Sequence, residues 1–125
     1  MGRHVLLIED EPNIIEAIRF LLTRDGWTVD THSDGTNAVE IVVAAKPDLV
    51  ILDVMLPGRS GMDILRDLRD LDDLAGLPVL MLTARGQSRD RDMAERAGVS
   101  RFMTKPFSNS EVQMAVRDLL AQASG

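Results

Sequence analysis

Leu49-Val50-Ile51-Leu52-Asp53 decides how the chain folds. Four successive apolar residues fit neither the 3.6-residue rhythm of an amphipathic helix nor the alternation of a half-exposed strand. They suit a short strand covered on both faces, as in a parallel sheet lined by helices. The run stops on an acid. Val5-Leu6-Leu7-Ile8 and Val79-Leu80-Met81-Leu82 read the same way, and Phe102-Met103 is a weaker version. Thr28 to His32 is polar and more alternating, which suits an edge strand.

Helical patterns lie between these runs. Ile14, Ile18, Leu21 and Leu22 form one stripe, with Pro12 suited to the first turn and Gly26 to the stop. Ala38, Val39, Val42 and Ala45 form a second, ended by Pro47. Ile64, Leu65, Leu68 and Leu71 form a third, and Val112, Val116, Leu119 and Leu120 the last. Ser108 and Glu111 make a capping box ahead of that last stripe. Arg89 to Ala97 is the poorest helix, with only Met93, Ala94 and Ala97 as apolar members. Few buried contacts mean low local stability there. Strand followed by helix, five times over, predicts right-handed crossovers and an α/β fold. The flavodoxin-like (βα)5 three-layer sandwich with parallel sheet order 2-1-3-4-5 fits this length.

Residues 1–125 are expected to form a single domain. With the sequence stopping at Gly125, just after the last predicted helix, no output domain is expected in this chain. Apolar residues make up 45% and charged residues 27%, a composition that buries a core. Basic residues number 14 and acidic ones 20, a net charge of −6. That excess argues against nucleic-acid binding by this domain and is compatible with a cation or a basic partner. The absence of cysteine excludes disulfides and zinc–thiolate sites. Val5 to Ile8 is too short for a signal peptide or membrane span, so a cytoplasmic location with no membrane association is expected.

Ligands of this fold sit at the carboxyl ends of the strands. The first strand ends in Glu9-Asp10, followed by Glu11. The third ends in Asp53, the fourth in Thr83-Ala84, and the fifth is followed by Lys105-Pro106. Several carboxylates at one sheet edge repel one another. A hard divalent cation resolves the conflict, and Mg²⁺ suits carboxylates, waters and a phosphoryl oxygen together. An Asp carboxylate is a covalent phosphoryl acceptor. Lys105 and the metal would supply positive charge, Thr83 a hydrogen bond, and the small Ala84 room for the arriving group. Any one of these residues has an ordinary reading as a helix cap, turn or solvated charge. Their joint placement at four strand ends carries the chemistry.

These segments resemble the receiver domains of two-component response regulators. The resemblance rests on Val5-Leu6-Leu7-Ile8-Glu9-Asp10-Glu11, Leu52-Asp53-Val54-Met55-Leu56-Pro57-Gly58 with Gly61, Leu82-Thr83-Ala84, and Lys105-Pro106-Phe107, over nearly the whole chain. It implies a signalling switch, not an enzyme, that assists its own phosphorylation and dephosphorylation. Asp53 would be the phosphorylated residue. Mg²⁺ would be held by Asp10, Asp53 and the backbone carbonyl of Met55, with Glu9 reaching it through water. Thr83 and Lys105 would hold the phosphoryl group, and Lys105-Pro106 would be cis. Phe102 would turn inward as Thr83 moves, reshaping the surface of the fourth helix, fifth strand and fifth helix. Met55 and Arg85, flanking the route of the hydrolytic water, would tune the phosphoryl lifetime. The donor would be a phosphohistidine on a sensor kinase or phosphotransfer protein.

Thr83-Ala84-Arg85-Gly86 and Lys105-Pro106-Phe107-Ser108 most resemble the winged-helix transcription-factor subclass, which often forms homodimers through that same surface. Arg91 and Glu111 match one of its charge pairs. Gly98-Val99-Ser100-Arg101 replaces the usual Gly-Ala-Asp-Asp, and Ala115 stands where a base is expected, so a different partner is the alternative to the homodimer. Other functions fit less well. A haloacid-dehalogenase-type phosphatase needs an Asp where Met55 stands. A flavodoxin-like nucleotide carrier needs a Ser/Thr/Gly-rich loop where Glu9-Asp10-Glu11-Pro12 stands. A degenerate receiver that only binds protein is the remaining alternative.

Overall fold

A computed structural model describes residues 3–84 and 88–124. The elements alternate as the apolar pattern predicts: β1 His4–Ile8, α1 Pro12–Arg24, β2 Thr28–His32, α2 Ala38–Ala45, β3 Leu49–Asp53, α3 Gly61–Asp70, β4 Val79–Thr83, α4 Ser88–Arg96, β5 Arg101–Thr104 and α5 Asn109–Ser124. The sheet order is β2-β1-β3-β4-β5, with every neighbouring pair parallel.

The strands alternate between two cores. Val5, Leu7, Leu49, Ile51, Leu80 and Leu82 pack with α1 and α5 through Ile18, Leu22, Val112 and Val116. Leu6, Ile8, Val50, Leu52, Val79 and Met81 pack on the other face with α2, α3 and α4 through Val42, Ile64, Leu65 and Ala94. All residues of β3 and β4 are buried, as strands sandwiched between two helical layers must be. Each large apolar side chain among them stabilises the fold by about 1.5–3 kcal/mol relative to exposure. The edge strand β2 has no fully buried residue.

Helix ends follow local chemistry. Pro12 opens α1, and Gly26, at φ +99°, lets the chain reverse after it. The capping box of α5 is formed: Ser108 N–H donates to Glu111 Oε1 at 2.8 Å, and Glu111 N–H donates to Ser108 Oγ at 3.2 Å. One expectation needs correction. Leu71 does not continue the α3 stripe. The helix ends at Asp70, Leu71 turns to an extended conformation at 39% exposure, and Asp72–Leu74 forms a 3₁₀ turn. The run Asp70-Leu71-Asp72-Asp73 places acids where a continued helix would press them toward the core. No helix among the described residues is long and apolar enough to cross a membrane.

Candidate active site

The sheet order brings four strand ends together. Register pairs Ile8 with Leu52, Asp53 with Leu82, and Thr83 with Thr104, so the residues after them meet at one edge. Glu9, Asp53, Thr83 and Lys105 are buried polar side chains in this otherwise apolar interior. Asp10 is exposed at the rim. One carboxylate oxygen from each of Glu9, Asp10 and Asp53 lies within 4.8 Å of the others.

Backbone packing fixes Asp53. Val54 N–H donates to Leu82 O at 2.9 Å, and Gly61 N–H to Val54 O at 2.8 Å. A Cβ on Gly61 would fall 2.0 Å from the Asp53 carbonyl oxygen, so α3 can start this close only with glycine. The peptide Lys105–Pro106 is cis.

Lys105 is the counter-ion of the pocket. Its Nζ lies 2.8 Å from Glu11 Oε1, 3.0 Å from Glu9 Oε1 and 3.4 Å from Asp53 Oδ1. Burial raises the pKa of Glu9; the Glu11 N–H on Oε2 opposes this, the Asp53 charge adds to the rise, and Lys105 opposes it. Burial likewise raises Asp53, against the pull of Lys105 and a bond from the Met55 N–H. For Lys105, burial works downward, but Glu11, Glu9 and the Asp53 charge outweigh it and leave the pKa raised. Glu9 Oε1 is buried and has no partner in hydrogen-bond geometry, despite the 3.0 Å approach of Lys105. Hard oxygen donors, an unsatisfied buried carboxylate oxygen and raised acid pKa values together fit a small divalent cation.

A match to the response regulator receiver domain family runs over residues 5–117. The chain belongs to that family of two-component signalling switches. It is 43% identical over 116 residues to the Mycobacterium tuberculosis protein named "Probable transcriptional regulatory protein TcrX", covering 93% of this chain and 49% of that one. The chain spans about half the length of the curated relatives it matches. A crystal structure of a response regulator receiver domain protein from Clostridium thermocellum superposes with a TM-score of 0.88 at 30% identity, covering 98% of this chain and 97% of the other. The receiver domain of the sensor histidine kinase PA1611 from Pseudomonas aeruginosa superposes with a TM-score of 0.88 at 28% identity, covering 97% and 99%. That structure has a magnesium ion coordinated in its active-site cleft.

The remaining residues singled out from the sequence take their places in this receiver. Met55 is 71% exposed beside Asp53. Ala84 is exposed and lines the cleft with Glu11, Lys105 and Pro106. Phe102 is half-buried against the α2–α4 side of the core, with the Arg91 guanidinium 5.6 Å from its ring centroid. Arg91, Arg101, Glu111 and Met114 border the same groove as Phe102. Arg85 lies outside the described residues. Two partners were not anticipated. Thr83 Oγ1 donates to Asp90 Oδ2 of α4 at 3.4 Å, and Glu11 reaches Lys105. The distance of 94 residues between Glu11 and Lys105 hides their contact from local pattern reading. A carboxylate in the first turn of the helix that follows Thr83 was the available signal for Asp90.

Proposed function

We propose that Asp53 accepts a phosphoryl group in a Mg²⁺-assisted reaction and that phosphorylation switches the surface of α4, β5 and α5. The observation that carries this reading is the convergence of buried Asp53, Glu9, Thr83 and Lys105, with Asp10, at four strand ends. A carboxylate oxygen of Asp53 attacks phosphorus in line. The bond from phosphorus to the donor breaks, and an acyl phosphate forms. With a phosphohistidine donor the imidazole leaves, taking up a proton from water. With acetyl phosphate, acetate leaves. In the separate hydrolysis that resets the site, water attacks phosphorus, the acyl phosphate bond breaks, inorganic phosphate departs and the carboxylate returns.

Asp10, Asp53 and the Met55 carbonyl would hold Mg²⁺, with Glu9 acting through water. Bound there, the ion would neutralise the carboxylates and the charge on the phosphoryl oxygens. Lys105 pairs with one phosphoryl oxygen and Thr83 donates to another, leaving Asp90. Phe102 then fills the space Thr83 vacates, which requires it to slide from under Arg91. Exposed Met55, together with Arg85, sets how readily water reaches phosphorus. The donor is a sensor histidine kinase or phosphotransfer protein, the location is cytoplasmic, and the switched surface serves a second copy or another protein partner. The domain binds neither nucleic acid nor membrane.

Intact mass after incubation with acetyl phosphate tests this. One phosphoryl group should be gained with Mg²⁺, and none without Mg²⁺ or in Asp53→Ala. After donor removal, the gain should decay at altered rates in Met55→Asn and Arg85→Gln. No gain in the parent protein favours a degenerate receiver that acts by binding alone.

A further inference from the structure

Lys105 has three carboxylate neighbours, and Asp53 is the farthest. Among the described residues, the hydrogen bond that Nζ donates in good geometry goes to Glu11 Oε1 at 2.8 Å. Glu11 is unlike the other two acids. Its side chain is 58% exposed, against 0% for Glu9 and 3% for Asp53. It occupies the position before the first turn of α1, where a side chain commonly caps the helix, yet it makes no capping bond. Its carboxylate turns to the cleft and meets the ammonium at the rim.

We propose that Glu11 is a positioning residue that parks Lys105 at the mouth of the cleft in the resting state and yields it to the phosphoryl group on Asp53. This rests on the reading of Asp53 as the acceptor. A lysine ammonium is a compact charge on a flexible stem, so it can change partners without backbone motion. A phosphoryl group, with more charge and three acceptor oxygens, outcompetes one exposed carboxylate. The exchange still costs the Glu11 pair, so Glu11 slows phosphoryl gain and weakens the grip of Lys105 afterwards. The sequence signal is a third acid following Glu9-Asp10, whose length suffices to reach over the cleft.

A double-mutant cycle separates this from a general effect of charge on an anionic donor. The parent protein, Glu11→Gln, Lys105→Met and the double variant are followed by intact mass with acetyl phosphate and Mg²⁺. Glu11→Gln should speed phosphoryl gain about twofold to fivefold when Lys105 is present, and by clearly less in the Lys105→Met background. The same factor in both backgrounds overturns the proposal. The four proteins are also unfolded thermally in chelator, where no phosphorylation is needed. A Glu11→Gln shift that depends on Lys105 supports the pairing, and strictly additive shifts overturn it. Absence of phosphoryl gain in the parent protein contradicts the reading of Asp53 instead, and unfolding then decides the Glu11 pairing. Met at position 105 retains the apolar stem, and Glu11 is exposed, so all four proteins should fold.

Discussion

Asp53 and Glu9 share a buried pocket with one ammonium, and burial raises the pKa of both acids. An acid whose folded pKa exceeds its unfolded value binds its proton more tightly when folded. The resulting stability is fully present below the ordinary values, 3.8 for Asp53 and 4.5 for Glu9, and is lost as pH rises through the raised ones. In chelator, the parent protein should therefore lose stability as pH rises from about 4 toward neutrality. Asp53→Asn should show a flatter profile and, at neutral pH, exceed the parent by on the order of 1 kcal/mol, because a buried charge is gone. Urea unfolding across that range checks both statements. An Asp53→Asn protein weaker than its parent at neutral pH would mean that Lys105 more than offsets the burial of Asp53.

Among the α-helices, α4 has the fewest buried apolar residues of those described. Ala94 is its buried apolar residue among those described, with Met93 half-buried beside it. Its exit is held instead by Arg69 on α3. The guanidinium donates to Gly98 O at 2.7 Å, Leu77 O at 2.7 Å, Leu74 O at 3.1 Å and Ser100 Oγ at 3.2 Å, and Ser100 Oγ also accepts from Val79 N–H at 3.0 Å. Ser100, where the resemblance expects an acid, thus joins the starts of β4 and β5 to α3. Burial pushes the Arg69 pKa down, and every acceptor is neutral. Arg69→Met should cost about 1–3 kcal/mol by leaving those acceptors unpaired. Arg69→Lys should recover only part, because an ammonium cannot span the fork of contacts. Denaturant midpoints of the two variants test this, and an unchanged midpoint for Arg69→Met would rule out the role. With its exit tied by hydrogen bonds and few apolar contacts of its own, α4 would shift readily in the proposed step in which Thr83 leaves Asp90.

At the scale of the whole molecule, the sheet order 2-1-3-4-5 decides that strand ends far apart in sequence become neighbours. The acid cluster exists only in the folded chain, so a cation that binds it stabilises the fold by mass action. At a concentration one hundred times its dissociation constant, Mg²⁺ should add about 2.7 kcal/mol to the parent protein. Calorimetry with and without Mg²⁺ should find the shift much reduced in Asp10→Ala, whose side chain is exposed and whose removal spares the core. An equal shift in both proteins would place the ion elsewhere.

The sequence by itself determined the alternation of strands and helices, because buried strands and amphipathic helices leave different apolar periods in the chain. It also marked Glu9 and Asp10 after β1, Asp53 at the end of β3, and Thr83 as candidates, since each ends or closely follows an apolar run, with Lys105 just past the weaker run of β5. Leu71 misled because its spacing matches the stripe, while the acids around it and the turn to β4 end the helix first. Only the tertiary structure decided which carboxylate Lys105 meets, that Thr83 rests on Asp90, and that Arg69 gathers the two connections leading into β4 and β5. Those contacts run between polar side chains, or from the Arg69 guanidinium to backbone carbonyls, and no apolar period marks them. They are set by strand register and by the reach of long polar side chains across a cleft, and neither is written in local sequence.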